Sequence, residues 1–496
     1  MVAPDFAGGS PNAAEAPAAQ QQARAPGRAA GAGYKPFDRS IVEGPIVPAV
    51  WKIAWPTMLQ NVVSGLQGMI DHAMVGHFVG YTGNAAIGVS WQIYLVVIVF
   101  ISSLFTGMGV MIARFAGAGD AEKVNRTLYQ AFLASLMISV FVLAPLGYFL
   151  SPVLLSLVNA TPEVQLEALP YLRIMFLFNF GMLLLFMLSG ALRAAGDART
   201  PLRFGVVMTV LNLIFNLILI PGFGPIPAFG TAGAALGTVL AAGIMGGVAV
   251  VALFRGSWVV SFGSGRRLPD WHVIRSLFRF GLPTGIQGVA MNVAGVMLLR
   301  FIGSLERSAE AQAAYTVAYT QVFSLVTWTA LGLMGATAAV VGQNLGAGRF
   351  DRATQAVRLS SLIGMAGAAS LGVVFITSAH LLLNAFGMTD PIVTEIGEEL
   401  LRFLSVSGLF VTIALVFTGA LQGTGDTRSP LYISIISQIM IPIGLCAVLQ
   451  VTRGLRPTDI WIAILLGHFA RAGFSVIRFR QGKWRHIVVD IGPATS

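Results

Sequence analysis

"LRAAGDARTPL" (residues 192–202) returns as "LQGTGDTRSPL" (residues 421–431), 229 positions later. Other stretches keep that offset. "FAGAGDAEKV" (115–124) is answered by "LGAGRFDRA" (345–353), so that Gly117 and Gly119 correspond to Gly346 and Gly348. Arg173 in "YLR" is answered by Arg402 in "LLR". "WPTMLQ" (55–60) returns as "LPTGIQ" (282–287) at an offset of 227. An offset this constant over several motifs marks a tandem duplication, and the two copies should fold alike. The Gly-Asp motif itself reads as architecture. Gly196 and Gly425 suit a tight turn, Asp197 and Asp426 can cap the next helix, and Pro201 and Pro430 suit its first turn. Pro56 and Pro283 read either as N-terminal prolines or as hinge kinks.

What is duplicated is a set of membrane spans. The chain has 496 residues, 55% apolar and only 10% charged, against about 25% charged in soluble domains. Its mean hydropathy is +0.77. A helical span needs about 20 apolar residues. Twelve such runs are present: 53–79, 85–113, 127–150, 166–192, 201–220, 232–254, 281–302, 314–341, 356–380, 400–421, 431–449 and 460–476. The fold class is therefore an all-α polytopic membrane protein, with twelve transmembrane helices in two parallel six-helix repeats around a central cavity. The expected domains are a flexible tail (1–45), an N-lobe (46–254), an inter-lobe linker (255–280), a C-lobe (281–478) and a C-terminal tail (479–496). The linker's "DWHVIRSLFRF" reads as an amphipathic surface helix.

The net charge of +10 does not point to nucleic acid. Arg and Lys crowd the segments before span 1, between spans 2 and 3, 4 and 5, 6 and 7, 8 and 9, and 10 and 11, and after span 12. The 1–2, 3–4, 5–6 and 9–10 loops have none. The positive-inside rule then places both termini in the cytoplasm of a cell whose plasma (inner) membrane holds the chain. Arg300, Arg307, Arg453 and Arg456 are exceptions that do not reverse it. One cysteine, Cys446, excludes an intrachain disulfide. The first 40 residues, rich in Ala, Pro, Gly and Gln, lack the core-forming residues of a folded segment and the basic start and apolar run of a signal peptide.

Duplicated halves share what the fold needs, so their differences expose what one lobe does alone. On span 1, Gln60, Ser64, Gln67 and Asp71 share one helical face. Their counterparts are Gln287, Met291, Ala294 and Leu298. On span 5, Asn212 and Asn216 are answered by Ile441 and Leu445. At ~1.5 Å per residue, Asp71, Asn212, Asn216 and Thr238 of span 6 all fall ~8–14 Å below the outer ends of their helices. Each Asn or Thr alone reads equally as glue between helices, whereas an intramembrane carboxylate is a functional candidate by default. His72 points ~100° away from Asp71, and reads as a packing or cavity residue with a proton role as the alternative.

Taken together, these stretches resemble the multidrug and toxic compound extrusion (MATE) family. The likeness lies in "IDHAMVGH", "FAGAGD", "LRAAGDARTP", "LNLIFNLILI", "GTAGAALGTV", "VGQNLGAG", "LQGTGDTRSP" and "RFRQGKW", and it spans nearly the whole chain after the tail. The resemblance implies a monomeric two-lobed antiporter that exchanges external H⁺ or Na⁺ for organic, drug-like compounds, with no other cofactor. It puts cation coupling on Asp71, Asn212, Asn216 and Thr238, with Na⁺ at Asp71 as an option. Gln60, Ser64, Gln67, Gln287 and Asn292 are substrate or cavity candidates. Some members carry a second carboxylate where Asn216 stands, and one branch carries an acid on span 7, where this chain has Met291 and Asn292. The chain is therefore similar to the branch that couples through the first lobe. The alternative within transport is a lipid-linked precursor flippase, which needs basic residues in the cavity. The candidates for these are Arg173, Arg300, Arg402 and Arg471, the last paired with His468. An enzyme is disfavoured, because the chain has no HExxH, GxSxG, cysteine pair or clustered acids at one membrane face.

Overall fold

A computed structural model describes residues 36–158, 160–263 and 268–491. Twelve long helical segments follow one another: α1 (Ile46–Phe78), α2 (Tyr81–Ala118), α3 (Ala121–Leu157), the two-part α4 (Pro162–Leu177 and Phe180–Ala194), α5 (Arg199–Leu219), α6 (Gly230–Phe254), α7 (Trp271–Gly303), α8 (Ser308–Gly346), α9 (Phe350–Thr377), α10 (Pro391–Thr424), α11 (Arg428–Arg453) and α12 (Pro457–Arg480). Ten are long and apolar enough to cross a membrane, and the parts of α4, bent by 54°, make an eleventh. α1 spans 33 residues but is not among them by composition, because its polar stripe dilutes its apolar content. The protein is a multi-pass, all-helical membrane protein.

The Gly-Asp motifs do what their chemistry suggests. Gly196 and Gly425 adopt φ of 101° and 93°, a region closed to most side chains. Asp197 then accepts from the Arg199 and Thr200 amides, and Asp426 accepts from the Ser429 amide, which satisfies N–H groups that open a helix. Asp426 also pairs with Arg478 of α12 at 2.8 Å. Pro56 and Pro283 lie inside α1 and α7, ten or more residues from the helix start, and not in a first turn.

The lobes meet through repeat-related surfaces. Gly117 of α2 and Gly346 of α8 each lie against the other helix. A Cβ on Gly117 would sit 1.9 Å from the Gln343 carbonyl oxygen, and a Cβ on Gly346 would sit 1.9 Å from that of Arg114. Arg114 and Gln343 are themselves counterparts. Each side chain also caps the far end of a helix in the other lobe, Gln343 Nε2 on Ala194 O at 2.7 Å and Arg114 Nη2 on Thr424 O at 3.2 Å. Such reciprocity is what a twofold contact requires. The lobes also exchange arms. Val50, Ile53 and Ala54 of α1 are buried with α8, α9 and α10, while Val273, Leu277 and Phe280 of α7 are buried in the N-lobe core.

These contacts lie in the half of the molecule that carries both described ends of the chain, the terminal face. There Arg39 donates to Gly117 O, Lys123 pairs with Asp490, and Arg126 of α3 pairs with Asp270 before α7. Cross-lobe approaches extend to mid-depth, where Gly65 meets Trp328 and Gly288 meets Val99. Farther up, Gly68 and Gly295 meet nothing within 4 Å, and Gly76 and Gly88 meet only their own lobe. The lobes are closed at the terminal face and part toward the other.

Two expectations about boundaries change. Residues 271–280 are not a separate surface helix in a 255–280 linker but the first turns of α7, packed into the N-lobe. Their apolar stripe finds the other lobe instead of a membrane surface. Residues 1–35 of the expected 1–45 tail lie outside the described residues, but 36–45 hold a short helix (Ser40–Glu43) with Ile41 and Val42 buried. Near the other end, Trp484 and Ile491 are buried within the 479–496 segment.

Candidate functional site

α1, α5 and α6 bring four of the singled-out polar residues into one network. Asn216 Nδ2 donates to Asp71 Oδ1 at 2.7 Å and approaches Asn212 Oδ1 at 3.4 Å. Asn212 Nδ2 donates to Thr238 Oγ1 at 3.1 Å, and Thr238 donates back to Ala234 O in its own helix. Asn212, Asn216 and Thr238 are buried, Asp71 partly so. Two acceptors remain unused. Asn216 Oδ1 is sealed without a partner, and Asp71 Oδ2 has no hydrogen bond among the described residues. A set of oxygens short of donors suits a proton or a hard monovalent cation. Among the described residues, no group of three His, Cys, Asp or Glu gathers as a metal cluster.

The other candidates divide. Gln60 Nε2 donates to Ser189 of α4 at 3.2 Å, and Gln67 accepts from Thr209 of α5 at 3.0 Å, so both are turned toward their own lobe. Ser64 is exposed, its hydroxyl bonded to Gln60 O. In the second lobe Gln287 is buried against Ser434 at 2.7 Å, and Asn292 is bonded back to Gly288 O. His72 leaves the network altogether. Its Nδ1 lies 2.6 Å from Asn84 Oδ1, tying α1 to α2. The candidate cations are scattered: Arg300 and Arg402 are exposed, and Arg173 covers the Tyr148 ring 4.5 Å away. Of these four, only Arg471 is buried.

Two contributors escaped sequence reasoning. Gly237 of α6 makes room for Asn216, since a Cβ there would lie 2.1 Å from Asn216 Oδ1. Tyr171, buried on α4, lies within electrostatic reach of both Asp71 and Tyr94, and the Tyr94 hydroxyl is sealed without a partner. Gly237 sits one residue before Thr238, which is a readable signal. Tyr171 has none, because its closeness to Asp71 arises only when α4 folds against α2 and α6.

Two repeated six-helix lobes, parting on one side and lined in one lobe by an intramembrane carboxylate, define a membrane transporter of the two-lobed class. The MatE family profile matches residues 56–218 and 283–448, one stretch in each lobe. The chain belongs to that family, the multidrug and toxic compound extrusion transporters, and it is not an enzyme. It is 27% identical over 439 residues to a probable multidrug resistance protein NorM of Thermotoga maritima, covering 87% of this chain and 92% of that one. It is 25% identical to the multidrug resistance protein MdtK of Pectobacterium atrosepticum, over 86% of this chain and 94% of that one. Its fold matches a solved MOP-superfamily transporter of Pyrococcus furiosus at a TM-score of 0.84 and 21% identity, over 91% of this chain and all of that one.

Proposed function

We propose that this chain is a secondary active antiporter that exports organic, cationic or amphipathic compounds in exchange for H⁺ or Na⁺, with H⁺ the favoured ion. The observation that carries the reading is the Asp71–Asn216 bond inside a three-helix polar network. It exists in one lobe only, since its counterparts are Leu298 and Leu445. A charged Asp71 holds α1 against α5 and attracts a cation. Neutralised by a proton, or matched by Na⁺ bound to the oxygens of Asp71, Asn212, Asn216 and Thr238, it loses both pulls. α1 then repacks, substrate is released, and the lobes rock about the Gly117–Gly346 contact. The basic terminal face is the cytoplasmic one in this reading, the membrane is the plasma (inner) membrane, and the arrangement described faces outward. One chain supplies both lobes, so a monomer suffices. The names of the NorM and MdtK relatives support drug-like substrates.

The test is efflux from proteoliposomes under an imposed pH gradient, with and without Na⁺, for wild type and Asp71→Asn. The variant should lose gradient-driven efflux. A wild-type rate in the variant overturns the coupling role, and indifference to Na⁺ at fixed pH assigns H⁺. A compound panel in an efflux-deficient host, run on both proteins, then defines the substrates.

A further inference from the structure

The second lobe holds a buried group of the opposite charge. Arg471 and His468, one turn apart on α12, are 7% and 5% exposed. Both ring nitrogens of His468 and Nε of Arg471 are sealed without hydrogen-bond partners. Among the described residues Arg471 has no ion pair; Asp459, the acid of its own helix, is taken by Arg453 at 2.6 Å. Tyr319 of α8 lies within electrostatic reach of the guanidinium, and its ring is 5.6 Å from that of Phe323. Phe323 of α8 faces the His468 ring at 6.5 Å. Gln438 Nε2 of α11, also sealed without a partner, lies 3.4 Å from where a Cβ on Gly467 would sit. Ser475 Oγ, one turn beyond Arg471, is unpartnered too.

The backbone around this group departs from a plain helix at two places. α8 carries a π-helical stretch at Thr316–Val322 and α11 one at Ile436–Met440, and these stretches contain Tyr319 and Gln438. Insertions of this kind recur at functional sites. The repeat counterparts of His468, Arg471 and Gln438 are Val239, Ala242 and Thr209, on unbroken α6 and α5. A lone buried guanidinium is costly unless an anion meets it, and its planar fork matches a carboxylate.

We propose that Arg471, with His468, Gln438 and Tyr319, forms a binding site for a small monovalent anion inside the second lobe. The site is independent of ion coupling at Asp71 and stands or falls separately from it. The anion is either a carboxylate carried by a transported compound or a free inorganic ion. Radiolabelled benzoate and radiolabelled chloride, titrated separately onto the purified full-length protein at constant Na⁺, distinguish these sources. Saturable binding of either is expected in wild type and in Arg300→Met, an exposed cation elsewhere. Arg471→Met should weaken it by on the order of tenfold or more, the usual loss when a charged group's hydrogen bonds are removed. If Arg471→Met fails to fold, Arg471→Lys and Gln438→Leu serve, each with a several-fold loss expected. Wild type that binds neither anion, or folded Arg471 variants that bind as wild type does, overturns the proposal.

Discussion

The first lobe buries an acid among amides and a hydroxyl, whereas the second buries a base among a histidine, a tyrosine and a glutamine. The two groups lie in related layers, because Thr238 of the first network aligns with Gly467, the neighbour of His468. In the first lobe Asp71, Asn212, Asn216 and Thr238 bond to one another in a chain that leaves acceptor oxygens free. Polar atoms of the second stand unpaired in numbers, with sealed nitrogens on Arg471, His468 and Gln438. Duplication supplies two equal scaffolds, and divergence at a few helix positions gives them different electrostatics. Helix packing depends on small residues and apolar volume, which both halves keep. Charge placement depends on single side chains, which each half changes without disturbing that packing.

The largest effect expected from breaking this asymmetry is on transport. Asp71→Asn should abolish gradient-driven efflux, and adding Leu298→Asp should not restore it, because Leu445 and Ile441 replace the asparagines that receive the acid. Restored efflux in the double variant, measured in proteoliposomes, would make the lobes interchangeable. Next comes the surface the lobes share. Gly117→Leu or Gly346→Leu inserts a side chain where a Cβ alone meets a carbonyl oxygen at 1.9 Å. Each should cost the upper end of about 1–3 kcal/mol and prevent closure at the terminal face. Cross-linking between cysteines placed at the ends of α2 and α8 reads that closure, and undiminished yield would show that the contact is dispensable.

A smaller effect belongs to the first-lobe network alone. Gly237→Ala should displace Asn216 and lower the thermal unfolding midpoint, at a cost of about 1–2 kcal/mol. Gly243→Ala on the same helix, with nothing within 4 Å of its Cβ position, should be neutral or slightly stabilising. Equal behaviour of the two would remove Gly237 from the site. The smallest effect is a pH dependence at the Arg126–Asp270 pair between the lobes. Burial alone would raise the pKa of the Asp270 carboxyl, but hydrogen bonds from Arg126 and from the Val273 and His272 amides, with the Arg126 charge, hold it below the usual value. A carboxyl depressed in the folded state stabilises above its unfolded pKa of about 4, and that contribution is lost as pH falls through the folded value. Thermal unfolding of wild type should therefore drop at acid pH more than that of Asp270→Asn. Parallel curves would show that the pair contributes nothing.

Much of this was legible in the sequence. The repeat offset, the span count, the Gly-Asp turns and the shared depth of Asp71, Asn212, Asn216 and Thr238 followed from spacing, because helical rise and period convert sequence separation directly into depth and face; their meeting in one network did not. The limits of that reasoning show at α1 and α7. An apolar stripe states that a surface will be covered and not by what, so "DWHVIRSLFRF" read as a membrane-surface helix when it packs into the other lobe. The turn of His72 away from Asp71 was readable from helical period, but its bond to Asn84 was not. Helix ends also run past the apolar runs, as in Tyr81–Ala118 against the expected 85–113, since backbone hydrogen bonding continues beyond the hydrocarbon.

The sequence by itself determined a duplicated twelve-span chain with its one clear intramembrane acid in the first half. Local chemistry suffices for that, because a span, a turn and a helix cap are each specified within a few residues. Only the tertiary structure decided which polar groups find partners. It turned Gln60 and Gln67 into their own lobe, bonded Asp71 to Asn216, brought Tyr171 within electrostatic reach of Asp71 and Tyr94, and left Arg471 buried with no counterion among the described residues. Those outcomes depend on how helices distant in sequence rotate and cross. That rotation is set by the whole packed surface and by no single motif.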